Sequence, residues 1–184
     1  MIGRILGAVE QTGQADNTWI FFTADHGLAC GQHGLMGKQN LYDHSVRVPL
    51  MVIGPDVPEG KRVSQPVYLQ DIMPTTLELA KVERPKHVQF QSLLPILAGN
   101  ESQYESIYGA YLDRQRSIRT EQYKLIVYPA ASVIRLYDVA NDPLEMQDLA
   151  GVSAHHETAQ DLFAQLVRLQ GELKDSLELG DFKS

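Results

Sequence analysis

The sequence predicts an α/β fold, in which an α/β sheet domain is followed by a small antiparallel sheet with a packed carboxyl-terminal helix. Three observations carry this prediction. An amphipathic helical stretch at the amino terminus precedes a short, continuously apolar run, an order that is typical of α/β domains. After about residue 100, apolar and polar residues alternate, as in antiparallel strands with one solvent-facing side. The last long segment repeats leucines at helical spacing.

The first hundred residues contain three predicted helices and two predicted strands. The first helix runs from the amino terminus to Gly13, and glycine suits a helix end because it tolerates positive φ. Residues 17–23 and 48–54 contain short, largely apolar runs, which indicate strands buried on both faces, as in a parallel sheet. Two further helices are predicted over residues 71–82 and 92–100.

The remaining residues predict strands and one long helix. Alternating hydrophobicity places strands within residues 106–112, 116–129 and 133–139. Residues 155–179 are predicted to form an amphipathic helix, with four leucines on one side: Leu162, Leu166, Leu169 and Leu173. We expect this helix to pack on the antiparallel sheet.

The composition is that of a globular protein and excludes some classes of function. Of 184 residues, 43% are hydrophobic and 21% are charged. A net charge of -7 argues against nucleic-acid binding, which normally requires a basic face. No apolar stretch is long enough to predict a membrane span. The single cysteine, Cys30, permits no disulfide within the chain.

A carboxylate, two imidazoles and an ammonium group follow the first predicted strand, within FFTADHGLACGQHGLMGK (residues 21–38). Asp25 and His26 come just after the apolar run, and open α/β sheets bind ligands outside the carboxyl ends of their strands. A carboxylate beside an imidazole suits a divalent cation. Gly27 permits positive φ or a close backbone approach. With a metal ion, the charge of Lys38 suits a tetrahedral oxyanion such as sulfate or phosphate.

The same residues also have ordinary structural explanations. Asp-His-Gly is a common turn sequence, His33 could cap a loop, and Lys38 could be a solvated surface charge, as most lysines are. Two adjacent ligands do not complete a calcium site, because calcium takes about six to eight oxygen ligands. On the residues alone, both interpretations stay open.

A longer pattern resembles the sulfatase family, within the alkaline-phosphatase-like superfamily. NTWIFFTADHGLACGQHGLMGKQNLYDHSVRVPLMVIGP (residues 17–55) follows that family's order of a strand, T-S/A-D-H/N-G, G-x-H-G, a lysine and an S-x-R-V-P-L strand. RSIRTEQYKLIVYP and the later RLYDVANDPLEMQDLA resemble the small carboxyl-terminal subdomain of sulfatases, with Asp148 where asparagine is usual. The resemblance covers most of the chain.

The resemblance implies roles for individual residues. Asp25 and His26 would be two ligands of the active-site metal, which is usually calcium in this family. Lys38 would contact the sulfate oxygens and stabilise charge on the leaving group. His33, in the matching glycine-rich loop, is a second candidate catalytic residue, on the substrate side or behind the metal ligands. We assign no chemistry to three further residues of the matching stretch: Asp43, Ser45 and Arg47.

Two parts of a sulfatase site have no counterpart in this sequence. The family nucleophile is a formylglycine, made from cysteine or serine in a C/S-x-P-S-R motif, and its hydrated form attacks sulfur. Cys30 lies in LACGQH, without the proline and arginine of that motif. The paired aspartates that complete the family's metal site are also absent. We therefore expect that this chain is the carboxyl-terminal portion of a sulfatase and is inactive alone.

The resemblance also divides the chain. It implies that residues 1–100 are the carboxyl-terminal part of the α/β catalytic domain and that residues 101–184 are a small α+β subdomain. The first helix has no capping residue before it, which fits a chain that begins inside a longer protein.

Three functions are compatible with these residues. The leading one is a sulfuric ester hydrolase that acts on a small-molecule or glycan sulfate ester. A phosphonate monoester or phosphodiester hydrolase of the same superfamily would share the Asp-His-Gly ligands. A truncated, non-catalytic module is the third. The particular ester and the oligomeric state stay open, and so does localisation, with periplasmic or secreted location an expectation for a full-length protein only.

Overall fold

A computed structural model describes residues 1–101 and 104–181. Its elements in chain order are α1 (Ile2–Gln11), β1 (Ile20–Thr23), β2 (Ala29–Cys30), β3 (Met36–Gly37), α2 (Asp43–Val46), β4 (Leu50–Ile53), α3 (Ile72–Leu79), α4 (Leu94–Leu97), β5 (Ile107–Tyr111), β6 (Gln115–Arg119), β7 (Tyr123–Tyr128), β8 (Val133–Asp138) and α5 (His156–Glu172). This mixed arrangement of helices and strands confirms the predicted fold class.

The chain divides into two compact units, which we call unit 1 and unit 2. Unit 1 contains Met1–Asp25 and Pro49–Gln103, and unit 2 contains His26–Val48 and Tyr104–Ser184. The predicted division at residue 100 differs from these units over residues 26–48, which belong to unit 2. Of the predicted second domain, residues 102, 103 and 182–184 lie outside the described residues.

Unit 1 begins with α1, which ends where the sequence predicts. Gly13 follows the last residues of α1 and has a φ of 66°, in the left-handed region that favours glycine. Further along, the buried carboxylate of Asp71 connects two segments of unit 1. It accepts hydrogen bonds from the backbone N–H groups of Tyr68, at 2.8 Å, and Gln91, at 3.0 Å.

The sheet of unit 1 corrects the prediction of parallel strands buried on both faces. β1 and β4 pair antiparallel, with Phe22 opposite Met51 and Ile20 opposite Ile53. The segment between them, residues 24–49, contains the β2–β3 hairpin and the four-residue helix α2, and not the long crossover helix that usually joins parallel strands. One face is half exposed: Phe22, Met51 and Ile53 have exposed fractions of 39%, 55% and 58%. Uniform hydrophobicity therefore did not mean uniform burial here.

Unit 2 contains a four-stranded antiparallel sheet in the order β5-β6-β7-β8. On one face, Ile118, Leu125 and Leu136 lie in register on adjacent strands and pack with Leu162 and Leu166 of α5. This confirms the predicted packing of the helix on the sheet.

The second face of this sheet is also covered, which corrects the prediction of a solvent-facing side. Ile126 and Tyr137 form a second buried cluster with Leu41 and Tyr42, which come from the segment before α2. Every residue from Lys124 to Val127 is buried as a result. The alternating sequence therefore corresponds to two faces that are both covered by other parts of the chain, rather than to one buried and one solvent-exposed face.

The helix α5 is shorter than the predicted range of 155–179. It ends at Glu172, and Lys174 then adopts a left-handed φ of 58°, which turns the chain out of the helix. The carboxylate of Asp175 accepts hydrogen bonds from Arg116 Nε at 2.6 Å and from the Tyr108 hydroxyl at 2.7 Å. These contacts fix the segment after α5 on β5, an edge strand of the sheet, and on its neighbour β6. Within the described residues, no helix has both the length and the apolar character that crossing a membrane requires.

Candidate functional site

The predicted metal ligands follow directly after β1. Asp25 is exposed and lies two residues beyond Thr23, the last residue of that strand. His26 is half buried and begins the part of unit 2 that precedes β2. Along the chain, both residues thus follow the carboxyl end of β1.

The hydrogen bonds of His26 define its tautomer. Its Nδ1 lies 2.8 Å from the carbonyl oxygen of Gly27, which can only accept, so Nδ1 carries the proton. Its Nε2 lies 2.6 Å from the ammonium nitrogen of Lys38, which can only donate, so Nε2 has a lone pair. A histidine that donates through one nitrogen to a carbonyl and presents the other unprotonated has the arrangement of a metal ligand. The structure thus brings two of the four predicted site residues, His26 and Lys38, into contact.

Gly27 holds this segment against α2 and has no room for a side chain. Its N–H donates to the carbonyl oxygen of Ser45 at 2.8 Å. A Cβ atom on Gly27 would collide with the backbone carbonyl of His44. The close backbone approach that glycine allows is therefore required at this position.

The short hairpin of β2 and β3 places Lys38. The two strands pair antiparallel, with Ala29 opposite Gly37. Gly37 has a φ of 103°, a conformation that other residues rarely adopt, and Lys38 follows at the end of β3. The ammonium group of Lys38 reaches back to His26 because the hairpin returns the chain toward its own start.

His33 has contacts that explain it through packing. Its ring stacks on Tyr42, with 3.9 Å between ring centroids. Its Nε2 donates to the carbonyl oxygen of Leu144 at 3.2 Å. These contacts anchor the glycine-rich loop on the segment after β8, so a structural role accounts for His33, and its catalytic role stays a prediction.

Sequence reasoning missed a buried ion cluster beside this site. Lys124 of β7 is only 1% exposed, and its ammonium nitrogen lies 2.7 Å from Asp43 Oδ1 and 2.8 Å from Glu145 Oε1. Arg119 adds a contact of 3.3 Å to Asp43 Oδ2. Both Lys124 and Glu145 stand in the family-like stretches YKLI and DPLE, so a signal was present, but alternation placed Lys124 on a solvent-facing side.

Charge governs the protonation of Asp43. Burial raises the pKa of its carboxyl group, but the Lys124 ammonium, and then Arg119 and Arg47, lower it more, so the pKa lies below the ordinary 3.8. Asp43 is therefore ionised at neutral pH and keeps its ion pair with Lys124.

The donor chemistry fits a divalent cation in part. His26 presents an unprotonated imidazole nitrogen, and Asp25 supplies a carboxylate beside it in the chain. Among the residues that the structure describes, however, no three histidine, cysteine, aspartate or glutamate side chains come together as a metal site would require. Further ligands are therefore needed for a complete coordination shell.

The sequence of this chain is similar to a family profile and to curated proteins. The profile of the family described as N-sulphoglucosamine sulphohydrolase, C-terminal, matches residues 31–172. An N-acetylglucosamine-6-O-sulfatase from Bacteroides thetaiotaomicron is 32% identical across 95% of this chain, and the match covers 34% of that protein. The chain thus spans about a third of the length of this curated relative.

The fold of this chain is also similar to solved structures. A protein solved in complex with its substrate D-glucosamine-2-N,6-O-disulfate superposes with a TM-score of 0.82 at 29% identity, and the match covers 95% of this chain and 38% of that protein. The phosphonate monoester hydrolase of Agrobacterium radiobacter also gives a TM-score of 0.82, at 26% identity, with 92% of this chain and 38% of the hydrolase covered. Taken with the profile match, these similarities show that the chain belongs to the sulfatase family, in the alkaline-phosphatase-like superfamily.

Proposed function

We propose that a full-length protein carrying this sequence is a sulfuric ester hydrolase, in which Asp25 and His26 bind a divalent cation and Lys38 contacts the sulfate. One observation supports this assignment most directly. The two residues that the family pattern matches to the metal and to the sulfate, His26 and Lys38, lie 2.6 Å apart although they are separated along the chain by the β2–β3 hairpin.

His26 would hold the cation through Nε2. The hydrogen bond from Nδ1 to Gly27 keeps the ring in the tautomer that metal binding requires. When bound, the cation, calcium in our proposal, would neutralise negative charge on the sulfate oxygens. Nε2 cannot accept from Lys38 and bind a cation at once, so cation binding would release the Lys38 ammonium for the substrate.

Lys38 would supply electrostatic stabilisation. Its ammonium group is exposed in unit 2 and carries three donors, which suit the oxygens of a sulfate ester. As the ester bond to the leaving group breaks, negative charge builds up on the oxygens, and a fixed ammonium stabilises that charge. His33 supports the loop through its contacts with Tyr42 and Leu144, and a catalytic role for it stays part of the proposal.

The reaction needs groups that these 184 residues do not contain. No C/S-x-P-S-R motif occurs in the sequence, so the formylglycine nucleophile of our proposal belongs to a part of the protein outside it. The remaining ligands of the cation are assigned there as well. Turnover by the 184 residues alone is therefore not expected.

We propose a sulfated amino sugar as the first substrate to test. Two of the similar proteins point to this class: one is named an N-acetylglucosamine-6-O-sulfatase, and another was solved with a glucosamine disulfate as its substrate. The second candidate function is phosphonate monoester hydrolysis, which is favoured by the superposition on a hydrolase of that class. A non-catalytic module is the third candidate.

The experiment compares full-length protein and variants on a chromogenic aryl sulfate, an aryl phosphonate monoester and glucosamine 6-sulfate. Lys38→Ala should lower kcat on the sulfate ester by roughly 10²–10³, the scale for removing one preorganised donor of charge stabilisation. Lys86→Ala, which removes another exposed lysine, is the matched control and should leave kcat unchanged.

Three outcomes would contradict parts of this proposal. Full activity of Lys38→Ala would remove Lys38 from the site. A higher kcat/KM on the phosphonate than on either sulfate ester would favour the second candidate function. Calcium-dependent turnover by the isolated 184 residues, lost on Asp25→Ala, would mean that they contain a complete site.

A further inference from the structure

The buried ion cluster of unit 2 connects the four-stranded sheet to α2. Lys124 lies in the interior of β7, and its two carboxylate partners come from segments far away in the sequence. Asp43 is the first residue of α2, and Glu145 follows β8. Lys124 and Glu145 are each 1% exposed, so each charge is stabilised by its protein partners rather than by hydration.

Glu145 makes a second contact that fixes the backbone of α2. Its Oε1 pairs with Lys124, while its Oε2 accepts the backbone N–H of Asp43 at 2.6 Å. One carboxylate thus joins the sheet cation to the start of α2. A buried ion cluster is weak support for stability by itself, because desolvation offsets the attraction, but it does restrict geometry.

From α2, contacts continue to His26. The carbonyl oxygen of Ser45 accepts the N–H of Gly27, and the carbonyl of His44 packs against Gly27 where a side chain would be. The carbonyl of Gly27 then accepts the Nδ1 proton of His26. The orientation of the His26 ring therefore depends on the placement of α2.

We propose that Lys124 and Glu145 are positioning residues for His26: they fix α2 on the sheet, and α2 fixes the backbone that orients the imidazole. The significance of this positioning for catalysis rests on the proposed function, in which His26 binds the cation. The positioning itself depends only on contacts within unit 2.

The test uses the 184-residue chain and two readouts at the site. Hydrogen exchange of the Gly27 amide reports its bond to Ser45, and long-range ¹H–¹⁵N spectra report which nitrogen of His26 carries the proton. Glu145→Leu removes the connection between sheet and α2. Asp175→Leu is the matched control, because it also removes a carboxylate that pairs with a largely buried cation of the same sheet, Arg116, but this carboxylate binds at β5 and β6 rather than at the start of α2.

We expect Glu145→Leu to accelerate exchange of the Gly27 amide by at least about tenfold more than exchange of the core amides of Leu125 and Leu136. The same variant should mix the two tautomers of His26. Asp175→Leu should accelerate the Gly27 amide no more than those core amides and should leave the tautomer of His26 unchanged. Equal effects of both variants on Gly27 and His26, or none from Glu145→Leu, would overturn the proposal.

A second variant covers the case in which Glu145→Leu does not fold. The double variant Lys124→Met with Glu145→Gln removes one charge of each sign and keeps an oxygen that can accept the Asp43 N–H. It should retain slow exchange at Gly27, whereas Lys124→Met alone should lose it; equal exchange in both would overturn the proposal. None of these readouts involves metal or turnover, so an inactive full-length protein would count against the proposed function and not against the positioning.

Discussion

The two sheets of this protein differ in how their faces are covered. The four-stranded sheet of unit 2 has α5 on one face and Leu41 with Tyr42 on the other, so β7 is buried along its whole interior. The two-stranded sheet of unit 1 leaves Phe22, Met51 and Ile53 about half exposed. The first arrangement stabilises a strand that contains a charged residue, because partners for that charge come with the second cover. Burial in this protein follows from what is packed on a strand and not from how apolar the strand is.

The largest loss of stability is expected when the sheet of unit 2, which is covered on both faces, loses its buried cation, Lys124. Lys124→Met leaves Asp43 and Glu145 buried without their common partner, and this should lower the free energy of unfolding by about 3–5 kcal/mol. Urea unfolding followed by far-ultraviolet circular dichroism measures the change. Arg135→Met is the control, since its ion pair with Asp148 is about half exposed and should contribute about 0–1 kcal/mol. A loss below 1 kcal/mol for Lys124→Met would mean that the second cover does not depend on the ion cluster.

Removing the helix-side packing should have the next largest effect. Leu166 is fully buried between α5 and the sheet, so Leu166→Ala should destabilise the protein by about 3 kcal/mol through lost contacts and a residual cavity. Its exposed neighbour Val167 provides the control, and Val167→Ala should change stability by less than about 0.5 kcal/mol. Similar losses for both substitutions would show that α5 does not pack on the sheet through Leu166.

A pH-dependent contribution should come from Asp175, which fixes the segment after α5. Hydrogen bonds from Arg116, and then from the Tyr108 hydroxyl, hold the pKa of the Asp175 carboxyl well below its usual range despite burial. Because the folded-state pKa is depressed, the contribution is complete above the unfolded pKa of about 3.9 and is lost as pH falls toward the folded value.

Asp175→Asn should therefore cost about 1–2 kcal/mol at pH 7, and the difference from the parent protein should shrink as pH falls below about 4. Urea unfolding at a series of pH values gives the comparison. A difference that stays constant down to pH 2.5 would contradict the assignment of this ionisation to Asp175.

The smallest effect is expected on the open face of the unit 1 sheet. Met51→Thr should change stability by no more than about 0.5 kcal/mol, because the Met51 side chain is already half exposed. Val52→Thr, on the opposite and more buried face, should cost more. Fluorescence of Trp19, the single tryptophan, reports on this sheet because its ring packs on Gly54, the residue after β4. A loss above 1.5 kcal/mol for Met51→Thr would mean that this face is covered.

Much of this structure could be predicted from local patterns. The positions of α1, β1, β4 and α5 follow from periodicity and apolar runs, and the family pattern predicts one site for His26 and Lys38, which are in contact. Both statements about the faces of the sheets were wrong, however. An apolar run does not show which part of the protein will pack on it. Alternation of apolar and polar residues does not distinguish a solvent-exposed face of a sheet from a second covered face.

Local sequence patterns could not predict the ion cluster, for a related reason. Asp43 and Lys124 are 81 residues apart, and Asp43 and Glu145 are 102 apart, so no local window contains Asp43 together with either of these partners. A lysine within a strand normally indicates that its side chain faces solvent. Only the tertiary fold supplies the two carboxylates that make burial of Lys124 tolerable.

The division of the chain between the two units has a practical consequence for anyone who expresses it in pieces. A change of composition near residue 100 suggests a cut there, but such a cut would separate residues 26–48 from the sheet that they cover. The piece from 101 onward would expose the apolar surface of Ile126 and Tyr137 and leave Lys124 with half of its counter-charge. Its core is assembled from two stretches of chain with unit 1 residues between them, so a soluble product requires the intervening sequence or a designed linker that joins residue 48 to residue 104.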